Sequence, residues 1–164
     1  MRHLWAPWRI RYILGKKEKG CFLCFKSTAA AIRSRYVLAQ TRYSAVMLNK
    51  YPYAAGHLLV IPKRHVAELD ALTAEEMSDL FLLLRDSISA LRKAFRPDGV
   101  NAGLNLGRAA GAGLQDHLHL HVVPRWNGDH NFMPIISGAM VISEYLDATY
   151  RRVAPFFKEL GGKT

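Results

Sequence analysis

Cysteine is almost absent from this chain: of its 164 residues only Cys21 and Cys24 carry a thiol. Two cysteines separated by two residues cannot staple distant parts of a fold. That excludes a disulfide-built secreted scaffold and leaves a metal or redox pair. Long apolar runs are missing too, and the longest stretches fall far short of the ~20 residues that a membrane-spanning helix needs. The basic N-terminal residues are not followed by an apolar run with a small-residue cleavage site, so no secretory leader is expected and the cytoplasm is the default compartment. No internal repeat, low-complexity tract or Pro/Gly/Ser linker divides the sequence. One domain over 1–164 is expected, with residues 1–20 as an aromatic and basic N-terminal arm. Acidic residues are few, 13 Asp and Glu against 23 Lys and Arg, for a net charge of +10. The imbalance points to an anionic partner, either nucleic acid or a polyphosphate small molecule, without choosing between them.

Half of the residues are hydrophobic, which excludes a disordered chain. Segments 36–40, 43–48 and 57–61 are short, β-prone and bounded by turn residues, with Asn49, Pro52 and Gly56 punctuating the loop between the last two. Thr73 and Glu76 read as a capping box that opens a helix. Met77, Leu80, Phe81, Leu84, Ile88, Leu91 and Phe95 form its apolar stripe at three- and four-residue steps, and Pro97 and Gly99 end it. Strands are expected over 100–106 and 117–123, joined by a glycine-rich loop from Gly107 to Gly113. A second helix is expected from Ser143 to about Val153, limited by Pro155. Together these elements imply an α+β domain: an antiparallel sheet covered on one face by one long and one C-terminal helix.

The segment 117–123 reads His-Leu-His-Leu-His-Val-Val. In a strand, side chains two residues apart point the same way, about 6.5–7 Å from each other. His117, His119 and His121 therefore share one face, and Leu118, Leu120 and Val122 turn to the core. Three desolvated imidazoles have little packing value, because each needs a polar partner. The bland alternatives are a solvent-exposed histidine face or a plain metal site. The preceding glycine-rich loop offers backbone N–H groups to a phosphate. Asn101 and Asn105 lie close in sequence.

Those residues resemble the histidine triad superfamily, whose signature alternates three histidines with apolar residues, here followed by Pro124 and Arg125. The upstream block from Asn49 through Gly56, His57 and Pro62 to Lys63 is similar to that superfamily's other signature. The flanks Leu4 to Arg9, Asn49 to Tyr53, Gly103 to Gly107 and Pro124 to Trp126 resemble the diadenosine tetraphosphate phosphorylase and hydrolase branch.

The resemblance implies nucleotidyl transfer from dinucleoside polyphosphates in two steps. His119 attacks the α-phosphorus to give a nucleotidyl-histidine, and phosphate or water then releases the nucleotide. His121 is implied to contact phosphate oxygens, Asn105 and loop amides to stabilise developing charge, Asn49 to hold the ribose, and His57 to flank the triad. For His57 a core or loop histidine remains the plain alternative, and for Asn49 a turn residue. Many relatives carry Ser or Thr shortly before the triad. Here Gln115, or a backbone amide such as that of Gly113, is expected to substitute, which leaves the leaving-group preference open.

The resemblance further implies a structural zinc site, in which Cys21 and Cys24 are completed by His65 and His117. Buried reduced thiols are the alternative. A redox pair is disfavoured, because the cysteines do not sit at the strand-to-helix turn of a βαβ unit. A homodimer is implied in the same way. Two other functions compete. One is a nucleoside phosphoramidate or aminoacyl-adenylate hydrolase sharing His119. The other, from a different class, is a zinc-containing nucleic-acid-binding protein suggested by Trp5, Trp8 and Tyr12 among basic residues; aromatic-basic arms more often pack or pair, so nucleic acid is the less favoured partner.

Overall fold

The computed structural model describes residues 20–129 and 144–158. The N-terminal arm, with Trp5, Trp8 and Tyr12, and Ser143 at the expected start of the last helix lie outside the described residues. The elements run α1 (Ala29–Ser34), β1 (Val37–Gln40), β2 (Ser44–Leu48), β3 (Leu58–Pro62), α2 (Ala74–Phe95), β4 (Gly99–Leu104), β5 (Leu120–Arg125) and α3 (Leu146–Lys158). The five strands form one sheet in the order β1-β2-β3-β5-β4, every neighbouring pair antiparallel. The α+β architecture expected from the sequence, an antiparallel sheet with one long and one C-terminal helix, is the one observed. Among the described residues no helix is long and apolar enough to cross a membrane.

The main core lies between the sheet and the two longer helices: Val46, Leu48, Leu58, Val60, Leu120 and Val122 meet Leu80, Leu91, Val153 and Phe157. The opposite face is not bare. Ala45, Met47, Leu59 and Ile61 pack there against Leu23, with Cys21, Phe25 and Leu114 around them. Every residue of β2 and β3 is therefore buried. This is why those strands read as unbroken apolar runs instead of alternating ones.

Helix α2 opens as expected. Glu76 N–H donates to Thr73 Oγ1 at 3.2 Å, and Thr73 N–H donates back to Glu76 Oε2 at 3.0 Å. Its buried stripe is rotated from the expected one, however: Leu80, Leu83, Ser87, Ala90 and Leu91 face the sheet, and Phe81 is 48% exposed. Ser87 explains the difference. Its hydroxyl donates to Leu83 O at 2.7 Å within the helix, so no unpaired polar group is buried and the residue packs as a small apolar one.

Helix α3 runs through Pro155 to Lys158 and does not stop near Val153. A proline inside a helix costs about 3 kcal/mol. Carrying the chain onward buries Phe157, which stands at 2% exposure and contributes a comparable 1.5–3 kcal/mol, roughly, with Phe156 packing alongside it. The short α1 carried no periodic apolar signal because it buries none of its residues.

The strand bearing the histidines also starts later than expected, at Leu120, so only His121 of the three lies within the ladder. Strand β3 ends at Pro62, which has no N–H to give. Beyond it the chain is held differently: Leu118 N–H donates to Val66 O at 2.7 Å. The alternation survives this change of partner. Leu118, Leu120 and Val122 all enter the main core, and the three histidines turn the other way.

Candidate functional site

Three histidines meet where the β2–β3 loop crosses β5. Leu59 pairs with His121 across the sheet, which brings His57, at the foot of β3, beside the His121 ring. The loop reaches this point through Gly56, whose φ is +81° and whose position leaves no room for a side chain: a Cβ there would stand 2.9 Å from the Phe95 ring and 3.1 Å from Pro124. Glycine is the residue that takes this conformation without strain.

Hydrogen bonds fix the polarity of the cluster. Tyr53 N–H donates to His57 Nδ1 at 3.0 Å, so the proton of neutral His57 sits on Nε2. That Nε2–H donates to His121 Nδ1 at 2.9 Å, which places the His121 proton on its own Nε2. Asn105 Nδ2 stands 3.4 Å from that nitrogen; both atoms carry hydrogen, so they do not bond each other and both N–H groups are left for a third partner. Burial, followed by the neighbouring imidazoles of His121 and His119, pushes His57 down to about 3. Burial, then His119, pushes His121 down to about 4. Both rings are neutral near pH 7, and the direction of every N–H in the chain is set.

His119 is oriented separately. Its Nδ1–H donates to the backbone carbonyl of His117 at 2.8 Å, so in the neutral ring the free lone pair is on Nε2. Its ring centroid is 5.0 Å from that of His121. A cleft beside it is lined by Asn105, Gly107, Gln115, His117 and His119, with Glu68, which the sequence did not single out. Gly113 is exposed in the same loop and does not line the cleft. Asn101 is further along β4, accepting from Arg125 Nη1 at 3.0 Å.

Asn49 is 7% exposed, and its side-chain oxygen accepts from Tyr51 N–H at 2.9 Å, closing a side-chain turn. Its amide nitrogen stands 3.3 and 3.4 Å from the two ring nitrogens of His57. A nitrogen nearly equidistant from both lies over the ring face, so Asn49 packs on His57 out of the plane in which its ring nitrogens are bonded.

The His117 ring turns away from His119 into a second cluster. Its Nε2–H donates to Pro62 O at 2.9 Å, leaving the Nδ1 lone pair 3.3 Å from Cys21 Sγ and 3.5 Å from Cys24 Sγ. His65 Nδ1 is 3.4 Å from Cys24 Sγ, and the four donor atoms all lie within 4.8 Å of one another. A tetrahedral zinc ion with its usual bond lengths has nitrogen–sulfur edges of roughly 3.5 Å. The donor set, the edges and the second hydrogen bond that orients His117 all fit a structural zinc ion. Local structure assembles the donors. Cys24 N–H donates to Cys21 O at 3.2 Å, folding the two thiols together, and Leu23 anchors the turn in the minor core. Arg64 carries His65. Its guanidinium makes bonds of 2.8 and 2.7 Å to Glu76 and a third of 2.7 Å to Ala71 O. Arg64, with the Thr73 amide next, holds the Glu76 carboxyl down at about 2.

The structure thus brings together His57, His119, His121 and Asn105 in one cluster and Cys21, Cys24, His65 and His117 in another, joined through the His117 main chain. Sequence reasoning gave no part in the site to Tyr53, Arg64 or the Pro62 carbonyl, and gave Glu76 its capping role but not its pairing with Arg64. Tyr53 and Pro62 act through backbone groups, which leave no residue-type signal. The Arg64–Glu76 pair spans a loop with no periodicity.

Comparison with known proteins places these residues in context. The sequence model of the HIT domain matches residues 32–128. The AP-4-A phosphorylase of Mycobacterium tuberculosis is 39% identical over 162 residues, covering 94% of this chain and 83% of that protein. The asymmetrical bis(5'-nucleosyl)-tetraphosphatase of Schizosaccharomyces pombe is 38% identical over 93 residues, 57% of this chain and 50% of that protein. Among solved structures, a zinc-bound histidine triad family protein from Mycobacterium smegmatis superposes with a TM-score of 0.63 at 25% identity, over 79% of this chain and 88% of that one.

Proposed function

The chain belongs to the HIT domain family, and from that premise we propose that it transfers a nucleotidyl group from dinucleoside polyphosphates through His119. One observation carries the proposal. The His117 carbonyl accepts a hydrogen bond from His119 Nδ1–H, which leaves the Nε2 lone pair as a nucleophile at the cleft that Asn105, Gly107 and Gln115 line. Nε2 forms the bond to the α-phosphorus, the bridging P–O bond breaks, and the remaining nucleoside polyphosphate leaves with its electron pair. The positive charge gained by the imidazole is stabilised by the carbonyl dipole on Nδ1–H. His121, whose Nε2–H is set by His57, donates to a phosphate oxygen, and Asn105 adds a second donor. In the second step inorganic phosphate attacks the phosphoramidate and returns neutral His119, giving a nucleoside diphosphate. Water in the same position gives a monophosphate and a proton.

Cys21, Cys24, His65 and His117 hold zinc in this reading, with a structural role that fixes His117 and hence the carbonyl that orients His119. Asn49 remains as the contact to ribose, and Gln115, which lines the cleft where Gly113 does not, as the contact to the leaving group. The enzyme is read as cytoplasmic, and as a homodimer, the latter as the family resemblance implies.

The test is a substrate panel of diadenosine tetraphosphate and adenosine 5'-phosphoramidate, each with and without inorganic phosphate, followed by anion-exchange chromatography. ADP and ATP formed from the tetraphosphate only when phosphate is present establish the phosphorylase form of the reading. AMP and ATP formed regardless of phosphate establish the hydrolase form. Turnover of the phosphoramidate alone overturns both.

A further inference from the structure

Tyr53 is not part of the reaction proposed above, yet it touches both members of the His57–His121 pair. Its backbone N–H holds His57 Nδ1. Its ring centroid lies 4.6 Å from that of His57 and 5.6 Å from that of His121, at an interplanar angle of 29°. The two imidazoles are themselves 5.1 Å apart, so the three rings form a compact triangle. The phenol is its outer member: Tyr53 is 46% exposed, and His57 is 1% exposed. A half-exposed ring in contact with both imidazoles covers part of the pair from water, and His121 itself is half-buried.

We propose that Tyr53 is the positioning residue of the His57–His121 pair: its amide fixes which nitrogen of His57 carries the proton, and its ring keeps water from the pair, so that His121 presents an N–H and not a lone pair to whatever occupies the cleft. For its use in catalysis this rests on the reading of His121 as a phosphate contact; the positioning itself does not.

Two effects of an aromatic face oppose each other here. A π face attracts an imidazolium. The same ring removes water, which disfavours the charged form. Burial is the first cause of the depression of both histidines, and the share that the Tyr53 ring has in that burial decides which effect of the ring is the larger. The titratable groups bearing on the pair are its own two members and His119; Asn49, following β2, and Asn105, following β4, contribute neutral amides. Were His57 protonated on both nitrogens, its Nδ1–H would meet the Tyr53 N–H head on. The amide and the dry surroundings therefore favour the same protonation state.

Histidine-ring NMR titration of the uniformly 15N-labelled full-length protein tests this without substrate. In the wild type and in Tyr53→Phe the pair is expected to titrate with the same low apparent midpoint. In Tyr53→Ala the midpoint rises by about one unit or more toward that of a free imidazole. Tyr53→Leu, which keeps bulk but no π face, holds it within about half a unit. In all three variants His57 Nδ1 keeps the 15N shift of an acceptor nitrogen, because the amide is backbone. The acid limb of kcat moves with the midpoint, and bound metal stays constant. A midpoint unchanged or lowered in Tyr53→Ala, or a Tyr53→Phe that behaves like it, overturns the proposal. Because the titration needs no reaction, a failed substrate panel with a shifted midpoint rejects the proposed function alone. Turnover with an unmoved midpoint rejects the role of Tyr53 alone.

Discussion

The main-chain carbonyl of His117 accepts a 2.8 Å hydrogen bond from His119 Nδ1, while the His117 side chain faces the Cys21 and Cys24 thiols. One residue therefore belongs to both clusters, and the position of the proposed nucleophile is tied to how firmly Cys21, Cys24 and His65 hold their neighbour His117. A metal ion bound in the second cluster would reverse the local electrostatics there. Without one, burial and then the Cys21 thiol raise the pKa of Cys24; a bound cation favours the thiolate.

Loss of the metal is expected to lower kcat while leaving the nucleophile in place. Cys24→Ser should reduce bound zinc from about one ion per chain to a small fraction, with kcat falling roughly 10–100-fold and KM changing little, the range typical of outer supports to a reacting group. Arg64→Met, which releases the segment carrying His65, should weaken zinc affinity by about tenfold or more without touching a donor. Mass-spectrometric metal analysis alongside steady-state kinetics checks both. A fully demetallated protein with unchanged kcat contradicts the link through His117.

Stability should fall on mild acidification. His57 and His121 are held near 3 and 4 when folded but take up protons near 6.5 when unfolded. Below pH 6.5 the unfolded chain binds more protons, so the stability these groups contribute at neutral pH is lost progressively as pH falls toward 3–4. After allowing for the partial exposure of His121, the loss between pH 7 and pH 5 is roughly 2 kcal/mol, or about 4–8 °C in Tm for a chain of this size. Replacing His121 with Asn should flatten that slope at constant zinc occupancy. An equally steep slope in the variant means the shifts belong to other groups.

Gly56→Ala should be among the more damaging single-methyl substitutions in the chain. The φ of +81° and the 2.9 Å approach to Phe95 act together, and a cost of roughly 2–4 kcal/mol follows. Denaturant unfolding measures it. The His57 ring signals should shift in the same variant, because the glycine sets the path of the loop into that residue.

The fold was legible in the sequence wherever a local rule had no competitor. The Thr73 and Glu76 capping box marked the start of α2, and the Leu118, Leu120 and Val122 alternation marked the side of the sheet that meets the helices. Where packing overrode a local rule, the reading slipped. Ser87 hid the true buried stripe of α2 because its polarity is satisfied inside the helix, and Pro155 failed to stop α3 because Phe157 has a place in the core. The histidines and cysteines could be picked out by type and spacing. What arranges them could not: the Tyr53 amide, the Pro62 carbonyl and the His117 carbonyl are groups that every non-proline or every residue possesses, and only the fold selects which ones are used.

The most direct test of the central claim is to trap the covalent enzyme. Wild-type protein is mixed with diadenosine tetraphosphate without phosphate, quenched in base, which spares a phosphoramidate, and weighed intact; the modified peptide is then sequenced. The account predicts one added adenylate on His119, absent in His119→Ala and still formed, more slowly, in Cys24→Ser. An adduct on another residue, or full turnover by His119→Ala, contradicts it.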